Sequence, residues 1–215
     1  MKMDSIQDFF ESLKEIDILI TYAQRNQSDI IKYRLFNKSA VILLLTKFEN
    51  FIETFLEEHS YEMLENHTNH SISHDMKVKY ISNAVDKTNG IPDDEKKSKI
   101  IEKLSCLIVK EETTLYDLKD FRPRTAFNYG KHGSTEIEKM FALHAFGKFI
   151  GSQEVRMLLK NIDSLIAIRN NIIHQDATPS LTHQDIMNHK NHIMKFVKLL
   201  QNDIENNADE YYNVH

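Results

Sequence analysis

The chain has 215 residues, of which 41% are hydrophobic, and a formal net charge of −5 at pH 7. This length is enough to bury one substantial core, so we expect a single domain over residues 1–215. With only 5 glycines and 3 prolines, the chain has too few turn residues for a β-sandwich or β-barrel, and an all-α fold is favoured. The acidic balance argues against a protein that coats nucleic acid by bulk charge, but it is compatible with a local basic site.

The number of cysteines and the lengths of the apolar segments indicate where in the cell the protein is located. The single cysteine excludes an internal disulfide, so the chain needs no oxidising environment. The amphipathic start MKMDSIQDFFESLKE lacks the apolar core of a secretory signal. The longest strongly apolar run, Ala40 to Leu45, is much shorter than a membrane span. We therefore expect a cytoplasmic protein that makes no membrane contact.

Hydrophobic periodicity predicts several helices in the first half of the chain. Apolar residues from Ser5 to Ala23 recur in steps of three and four, which predicts the first helix. A second pattern, with Ser28 as candidate N-cap, extends to about Leu64 and predicts one long helix. Two further helices should flank the turn NGIPDD. The apolar positions of these three later helices include Leu35, Ile42, Leu45, Phe48, Ile52, Phe55, Leu56, Met76, Tyr80, Ile81, Val85, Ile100, Ile101 and Leu104.

The second half begins with residues 111–133, which lack periodicity and predict a long loop. Thr135 and Glu138 then have the spacing of a capping box, and later helices should start near Ser152 and Thr182. The whole pattern predicts a helical bundle of about six to seven helices, with one long helix and a long loop before the last three.

An arginine interrupts the apolar stripe of the helix that starts near Ser152. Apolar residues should follow one another in steps of three and four, yet one of these positions is charged. The stripe comprises Val155, Leu158, Ile162, Leu165, Arg169 and Ile172. A charge at such a position is costly unless it is paired or faces a cleft. Glu49, which lies between Leu45 and Ile52 on the long helix, is the candidate partner, so Arg169 has either a purely structural role or a functional one that Glu49 supports.

His174 follows this arginine by five residues, near the expected helix end. On a regular helix the two side chains would diverge by roughly 140°. Convergence requires the helix to fray or turn at His174, or the two groups to meet across a symmetric dimer. Together they suit RNA cleavage by a 2′-hydroxyl, because histidine transfers protons near neutral pH and the arginine fork matches phosphate oxygens. A histidine that merely interacts with the helix dipole is the structural alternative.

The segment Arg169-Asn-Asn-Ile-Ile-His174 is an R-x4-H motif near the end of the penultimate helix of a small all-α chain. In this it resembles the HEPN superfamily, and most closely the stand-alone prokaryotic ribonucleases that include the RiboL-PSP-like proteins. The segment TKFENFIETFL of the long helix, the segment NYGKHGSTEIEKMF and Asn170 directly after the arginine also resemble that branch.

The resemblance implies a homodimer whose two motifs face each other in a composite active site. It implies metal-independent RNA cleavage that leaves a 2′,3′-cyclic phosphate and a 5′-hydroxyl, without a cofactor, with Arg169, His174 and Asn170 as catalytic residues. It also implies a toxin or antiviral abortive-infection role, with an antitoxin or regulatory protein as a partner. Asp176 stands where some members have a tyrosine that accepts AMP, which puts control by adenylylation in doubt.

The segment FRPRTAFNYGKHG interleaves cations with aromatic residues, a composition that suits RNA. Its candidate RNA-binding residues are Arg122, Arg124, Tyr129, Lys131 and His132. A loop whose aromatics pack on the core is the competing interpretation. His67, His70, His74, His189 and His192 have partly helical spacing, but no cysteine joins them and we predict no metal site.

The sequence is compatible with three functions. The first is the metal-independent endoribonuclease. The second is a catalytically inert helical module of a defence system that binds RNA or protein, and the third is a nucleotide-binding protein, for which no glycine-rich phosphate loop is present.

Overall fold

A computed structural model describes residues 3–66, 74–109, 122–128, 133–175, 180–208 and 211. In this part of the chain the regular structure is entirely helical, which confirms the all-α prediction. The helices are α1 (Asp4–Ser12), α2 (Lys14–Arg25), α3 (Ile30–Asn66), α4 (His74–Asn89), α5 (Asp94–Val109), α6 (Ser134–Leu143), α7 (Gly147–Gly151), α8 (Gln153–Gln175) and α9 (His183–Asn206). These exceed the six to seven expected helices because the first one is divided and the short α7 precedes α8.

The first predicted helix is interrupted at Leu13, so the prediction of one continuous helix was wrong. The hydrogen bond from the Leu13 N–H to the Phe9 carbonyl, at 3.3 Å, still joins the two segments. The apolar face was predicted correctly, since Ile6, Phe9, Leu13, Ile16, Ile20 and Ala23 are all buried. Both segments pack against α3, so the shared apolar face spans the interruption.

The long helix α3 is the centre of the bundle and contacts α1, α2, α8 and α9. Its N-cap is Asp29 rather than Ser28, because the Asp29 Oδ1 atom accepts a hydrogen bond from the Lys32 N–H at 3.2 Å. Leu35 belongs to the predicted apolar pattern but is 58% exposed. The first turns of α3 thus extend an apolar side chain into solvent, whereas the middle of the helix is buried.

Two other expectations about helix boundaries have different outcomes. The turn NGIPDD separates α4 from α5 as expected, and Asp93 caps α5 by accepting hydrogen bonds from the Glu95 and Lys96 N–H groups. By contrast, α6 starts at Ser134, so Thr135 is not its N-cap. Asp163 of α8 takes the capping role from outside, because its Oδ1 atom accepts from the Ser134 N–H at 2.7 Å. Val85 and Ile101, expected on the apolar faces of α4 and α5, are exposed.

The last two long helices agree with the sequence patterns. Helix α8 begins after Ser152, and its apolar stripe is buried. Helix α9 begins after Thr182, which forms a capping box with Asp185. Just before α9, the Leu181 carbonyl accepts a hydrogen bond from the side chain of Asn37 of α3 at 2.9 Å. Because Arg169 meets the middle of α3 and Leu181 meets its beginning, α8 runs antiparallel to α3.

Candidate active site on helix α8

Arg169 occupies the predicted position in the inward stripe of α8. Its side chain is 16% exposed and forms an ion pair with Glu49 of α3, whose side chain is 15% exposed. The Arg169 Nη2 atom donates to the Glu49 Oε1 atom at 3.0 Å. Glu49 is therefore the partner that the sequence indicated, because it projects from α3 between the buried residues Leu45 and Ile52.

The guanidinium of Arg169 retains hydrogen-bonding capacity beyond this pair. Its Nε atom is buried and has no hydrogen-bond partner in the described part of the chain. A buried donor without a partner costs about 1–3 kcal/mol. This buried donor therefore marks a costly feature that folding alone does not require.

His174 lies in the last turn of α8, and its side chain is exposed. Helix α8 continues through Gln175, so it does not end between the arginine and the histidine. The two side chains therefore diverge by roughly 140° around the axis. Within one protomer Arg169 is directed toward α3 and His174 toward solvent. The helix therefore does not bring the two groups together within one chain.

Asn170, the third predicted catalytic residue, accompanies His174 rather than Arg169. It is exposed and precedes His174 by four residues, which places both on one side of the helix about one turn apart. Its side-chain amide can donate to a phosphate oxygen or orient the imidazole. In the folded chain the motif thus consists of an inward arginine and an outward asparagine and histidine.

Three glutamates in a row along α3 bind Arg169 and two residues of the segment 122–128. Glu49, Glu53 and Glu57 follow one another at intervals of four residues and so share one face of the helix. Glu49 binds Arg169, Glu53 accepts from the Phe127 N–H at 2.8 Å, and Glu57 pairs with Arg122 at 2.9 Å. The roles of Glu53 and Glu57 were not predicted. Their signal was the spacing itself in the segment FENFIETFLEE.

Arg122 and Arg124, both predicted to bind RNA, form ion pairs within the protein. Arg122 binds Glu57, and its carbonyl accepts from the Asn83 side chain at 2.7 Å. Arg124 binds Glu136 of α6, which is buried and also accepts from the Asn128 side chain at 3.2 Å. Residues 122–128 are thereby attached to α3, α4 and α6. Tyr129, Lys131 and His132 lie outside the described residues.

A buried histidine that was not predicted lies away from the motif. His144, between α6 and α7, is fully buried. Its Nδ1 atom contacts the Met140 carbonyl at 2.8 Å, while its Nε2 atom has no hydrogen-bond partner among the described residues. Burial, with a smaller contribution from the charge of Arg122, lowers the pKa of His144 to about 4. The ring is therefore neutral at physiological pH and belongs to the core.

Two further properties concern ligands and membranes. The His189 and His192 rings lie 6.5 Å apart, and burial together with the charge of His192 lowers the pKa of His189. In the part of the chain that the structure describes, no group of three or more histidine, cysteine or acidic side chains has the arrangement of a metal site. His67 and His70 lie outside that part. Among the described helices, none combines the length and apolarity needed to cross a membrane.

Comparison with known proteins identifies the family. No curated protein and no solved structure is significantly similar to the chain. The family model RiboL-PSP-HEPN matches residues 7–206, which include every helix from α2 to α9 and most of α1. A match over nearly the whole chain agrees with the all-α bundle and its long α3. The chain belongs to the RiboL-PSP-HEPN family.

Proposed function

We propose that this protein is a homodimeric, metal-independent endoribonuclease. In it Arg169 binds the phosphoryl oxygens and His174 transfers protons. The single observation that carries the proposal is the ion-paired arginine in the apolar stripe of α8, at a position where a leucine would stabilise the fold without a buried charge. Membership in a family of RNase-type or nucleotide-binding proteins also supports the proposal. A role as a toxin or antiviral effector, controlled by an antitoxin or regulatory protein, is part of the proposal.

The reaction needs a base, an acid and a cation. The base removes the proton of the RNA 2′-hydroxyl, and the 2′-oxygen attacks the adjacent phosphorus. The bond from phosphorus to the 5′-oxygen then breaks, and the acid protonates that oxygen. The products are a 2′,3′-cyclic phosphate and a 5′-hydroxyl. Imidazole can serve as base or acid, and a guanidinium stabilises the charge that develops on the phosphoryl oxygens.

A second protomer would complete this set. One chain supplies one motif histidine, whereas a dimer supplies two, so that one removes a proton while the other donates one. Ile173, next to His174 in the chain, is 49% exposed, and Ile31 and Leu35 near the start of α3 are 77% and 58% exposed. A second copy that covered Ile173 would remove an apolar side chain near the motif from water.

Glu49 acts as a positioning residue in this proposal. By holding one Nη atom, it orients the guanidinium, whose exposed part would bind a phosphate. Asn170 would assist as a neutral donor on the His174 side of the helix. Arg122 and Arg124 would contribute to RNA binding only weakly, since their charges are already paired with glutamates.

The first test is cleavage of labelled RNA in EDTA by wild-type protein and by the variants Arg169→Ala and His174→Ala. We expect wild-type fragments with cyclic-phosphate and 5′-hydroxyl ends, and loss of these fragments in both variants. Lys96→Ala, an exposed change on α5, is the matched control and should cut as wild type. Intact RNA with the wild-type protein, under conditions in which an active control ribonuclease cuts, would refute the proposal.

A subunit-mixing experiment tests the composite site. Wild-type and His174→Ala chains are exchanged in equal amounts, and RNA cleavage is measured. If both histidines of a dimer are needed, about one quarter of the activity remains, since only wild-type homodimers are active. If each protomer works alone, about half remains. Mixing with Lys96→Ala chains should preserve full activity.

The alternative is a catalytically inert module that binds RNA or a protein partner. The observation that favours it is the divergence of Arg169 and His174 within one protomer, with the arginine already engaged by Glu49. RNA binding that persists in His174→Ala, with no cleavage by the wild-type protein in any buffer, would select this alternative.

A further inference from the structure

The outward face of α8 carries unpaired cations in line with His174. Arg156 precedes His174 by 18 residues, which is about five complete turns, so the two side chains leave the helix in nearly the same direction. Lys160 precedes His174 by 14 residues and lies within about 40° of that direction. All three side chains are exposed. We call the face formed by Arg156, Lys160, Ala167, Asn170 and His174 the outward stripe of α8.

These two cations differ from many others in the protein. Arg122, Arg124, Arg169, Lys190 and Lys195 all bind carboxylates. Arg156 and Lys160 make no side-chain ion pair or hydrogen bond within the described part of the chain. Their charge is therefore fully available to a ligand, in a protein whose net charge is −5.

One acidic residue lies on the same side, and its charge is already engaged. The Asp163 carboxylate accepts from both the N–H and the hydroxyl of Ser134, at 2.7 and 2.5 Å. It thereby faces the N-terminus of α6, where the helix dipole offsets negative charge. Between Lys160 and His174 the stripe otherwise presents the small Ala167 and the amide donor Asn170.

We infer that the outward stripe of α8 is the path along which the RNA backbone runs to His174, with Arg156 and Lys160 as phosphate-binding residues. This inference rests on the proposed function, because it takes RNA as the ligand. Lys160 and Arg156 lie about 21 and 27 Å along the axis from His174, at about 1.5 Å per residue. Contacts at these distances act on long RNA and not on a fragment that reaches only the motif.

The test measures RNA binding separately from cleavage. All proteins carry His174→Ala, so that the RNA stays intact, and the affinity for labelled single-stranded RNA is measured by fluorescence anisotropy over a range of salt concentrations. Arg156→Ala/Lys160→Ala is compared with Lys14→Ala/Lys96→Ala, which removes the same charge from α2 and α5. Neither α2 nor α5 has substantial contacts with α8.

The expected result is a change in salt dependence confined to the stripe variant. Each lost phosphate contact lowers the slope of log K against log salt by about 0.7 for a single strand, so two lost contacts lower it by about 1.4. The control should keep the parental slope. Equal slopes for the two double variants, or no RNA binding by the His174→Ala parent at low salt, would overturn the inference.

RNA length provides a second readout, with His174 restored. Oligonucleotides of about 4 to about 16 nucleotides cover the common site sizes of single-strand-binding proteins. In Arg156→Ala/Lys160→Ala we expect KM to rise for the long substrates and to stay at the wild-type value for the shortest, with kcat unchanged. If the double variant cleaves RNA with the wild-type KM at every length, the stripe does not bind RNA, but the proposed ribonuclease activity is unaffected. If RNA binding depends on the stripe but the wild-type protein cleaves no RNA, the ribonuclease proposal is refuted and RNA binding by the stripe is supported.

Discussion

The inward and outward faces of α8 differ in how strongly folding constrains their residues. On the inward face the buried residues Val155, Leu158, Ile162 and Leu165 serve the core, and Arg169 interrupts them with a charge that Glu49 must compensate. On the outward face His174, Asn170, Arg156 and Lys160 are exposed, and folding constrains none of them. A change on the inward face should therefore alter both stability and activity, whereas a change on the outward face should alter activity alone.

The largest effect is expected on the outward face. His174→Ala should reduce RNA cleavage by roughly 100-fold to 10,000-fold, the usual contribution of a general acid or base. Its Tm should equal that of the wild type, because the side chain is exposed at a helix end. Cleavage rates and thermal unfolding are measured on the same preparations. A large loss of Tm would contradict the contrast between the two faces.

On the inward face, the two members of the ion pair should behave as one unit. Arg169→Leu or Glu49→Leu alone leaves an uncompensated, mostly buried charge and should lower the free energy of unfolding by about 3 kcal/mol. The double variant Glu49→Leu/Arg169→Leu should recover that loss, since an apolar pair of similar volume replaces a buried ion pair well. It should remain inactive. Urea unfolding measures the free energy of unfolding of each variant. If the losses of the two single variants add up in the double variant, the two residues are not coupled.

A buried histidine should respond to pH in a way that can be measured. The unfolded chain protonates His144 below about pH 6.5, while the folded chain keeps it neutral to about pH 4. The unfolded state thus binds more protons, and the free energy of unfolding falls as the pH drops through this window, by up to roughly 3 kcal/mol. His144→Leu should flatten this dependence. Met140→Leu, which keeps the histidine and the main-chain carbonyl, is the control, and an identical pH profile in His144→Leu would contradict the prediction.

The smallest effect is expected at Arg122. Its ion pair with Glu57 is partly exposed, so Arg122→Ala should lower the free energy of unfolding by no more than about 1 kcal/mol. The same variant should change RNA affinity less than Arg156→Ala does, because its charge is already neutralised by Glu57. Anisotropy titrations of the two variants test the order. A larger loss of RNA affinity in Arg122→Ala than in Arg156→Ala would indicate instead that residues 122–128 bind RNA.

The sequence was most informative where burial is periodic. The stripe of α8, the interruption at Arg169 and the choice of Glu49 as its partner were all predicted, because a charge among apolar residues stands out at helical spacing. The interruption at Leu13 and the capping of α6 by Asp163 were missed. The capping depends on a residue that is distant in sequence, so local patterns contain no signal for it.

The ion pairs of Arg122 and Arg124 also join residues that are distant in sequence, so they could not be predicted from local patterns. Their interleaving with aromatic residues suggested RNA contacts, but their carboxylate partners lie on α3 and α6. His144 was likewise missed, since neutral burial of a histidine is decided by the packing around it. In each case the property belongs to neighbours that only folding brings close.

By itself the sequence determined the helical class, the long α3 and the family resemblance, and it indicated the two candidate motif residues, because these depend on composition and local spacing. Only the tertiary structure decided that His174 turns outward, along a line with Lys160 and Arg156, rather than toward Arg169. The physical reason is that α8 remains helical through Gln175. Its fixed rotation per residue separates the two motif side chains, and its packing against α3 determines which of them is buried.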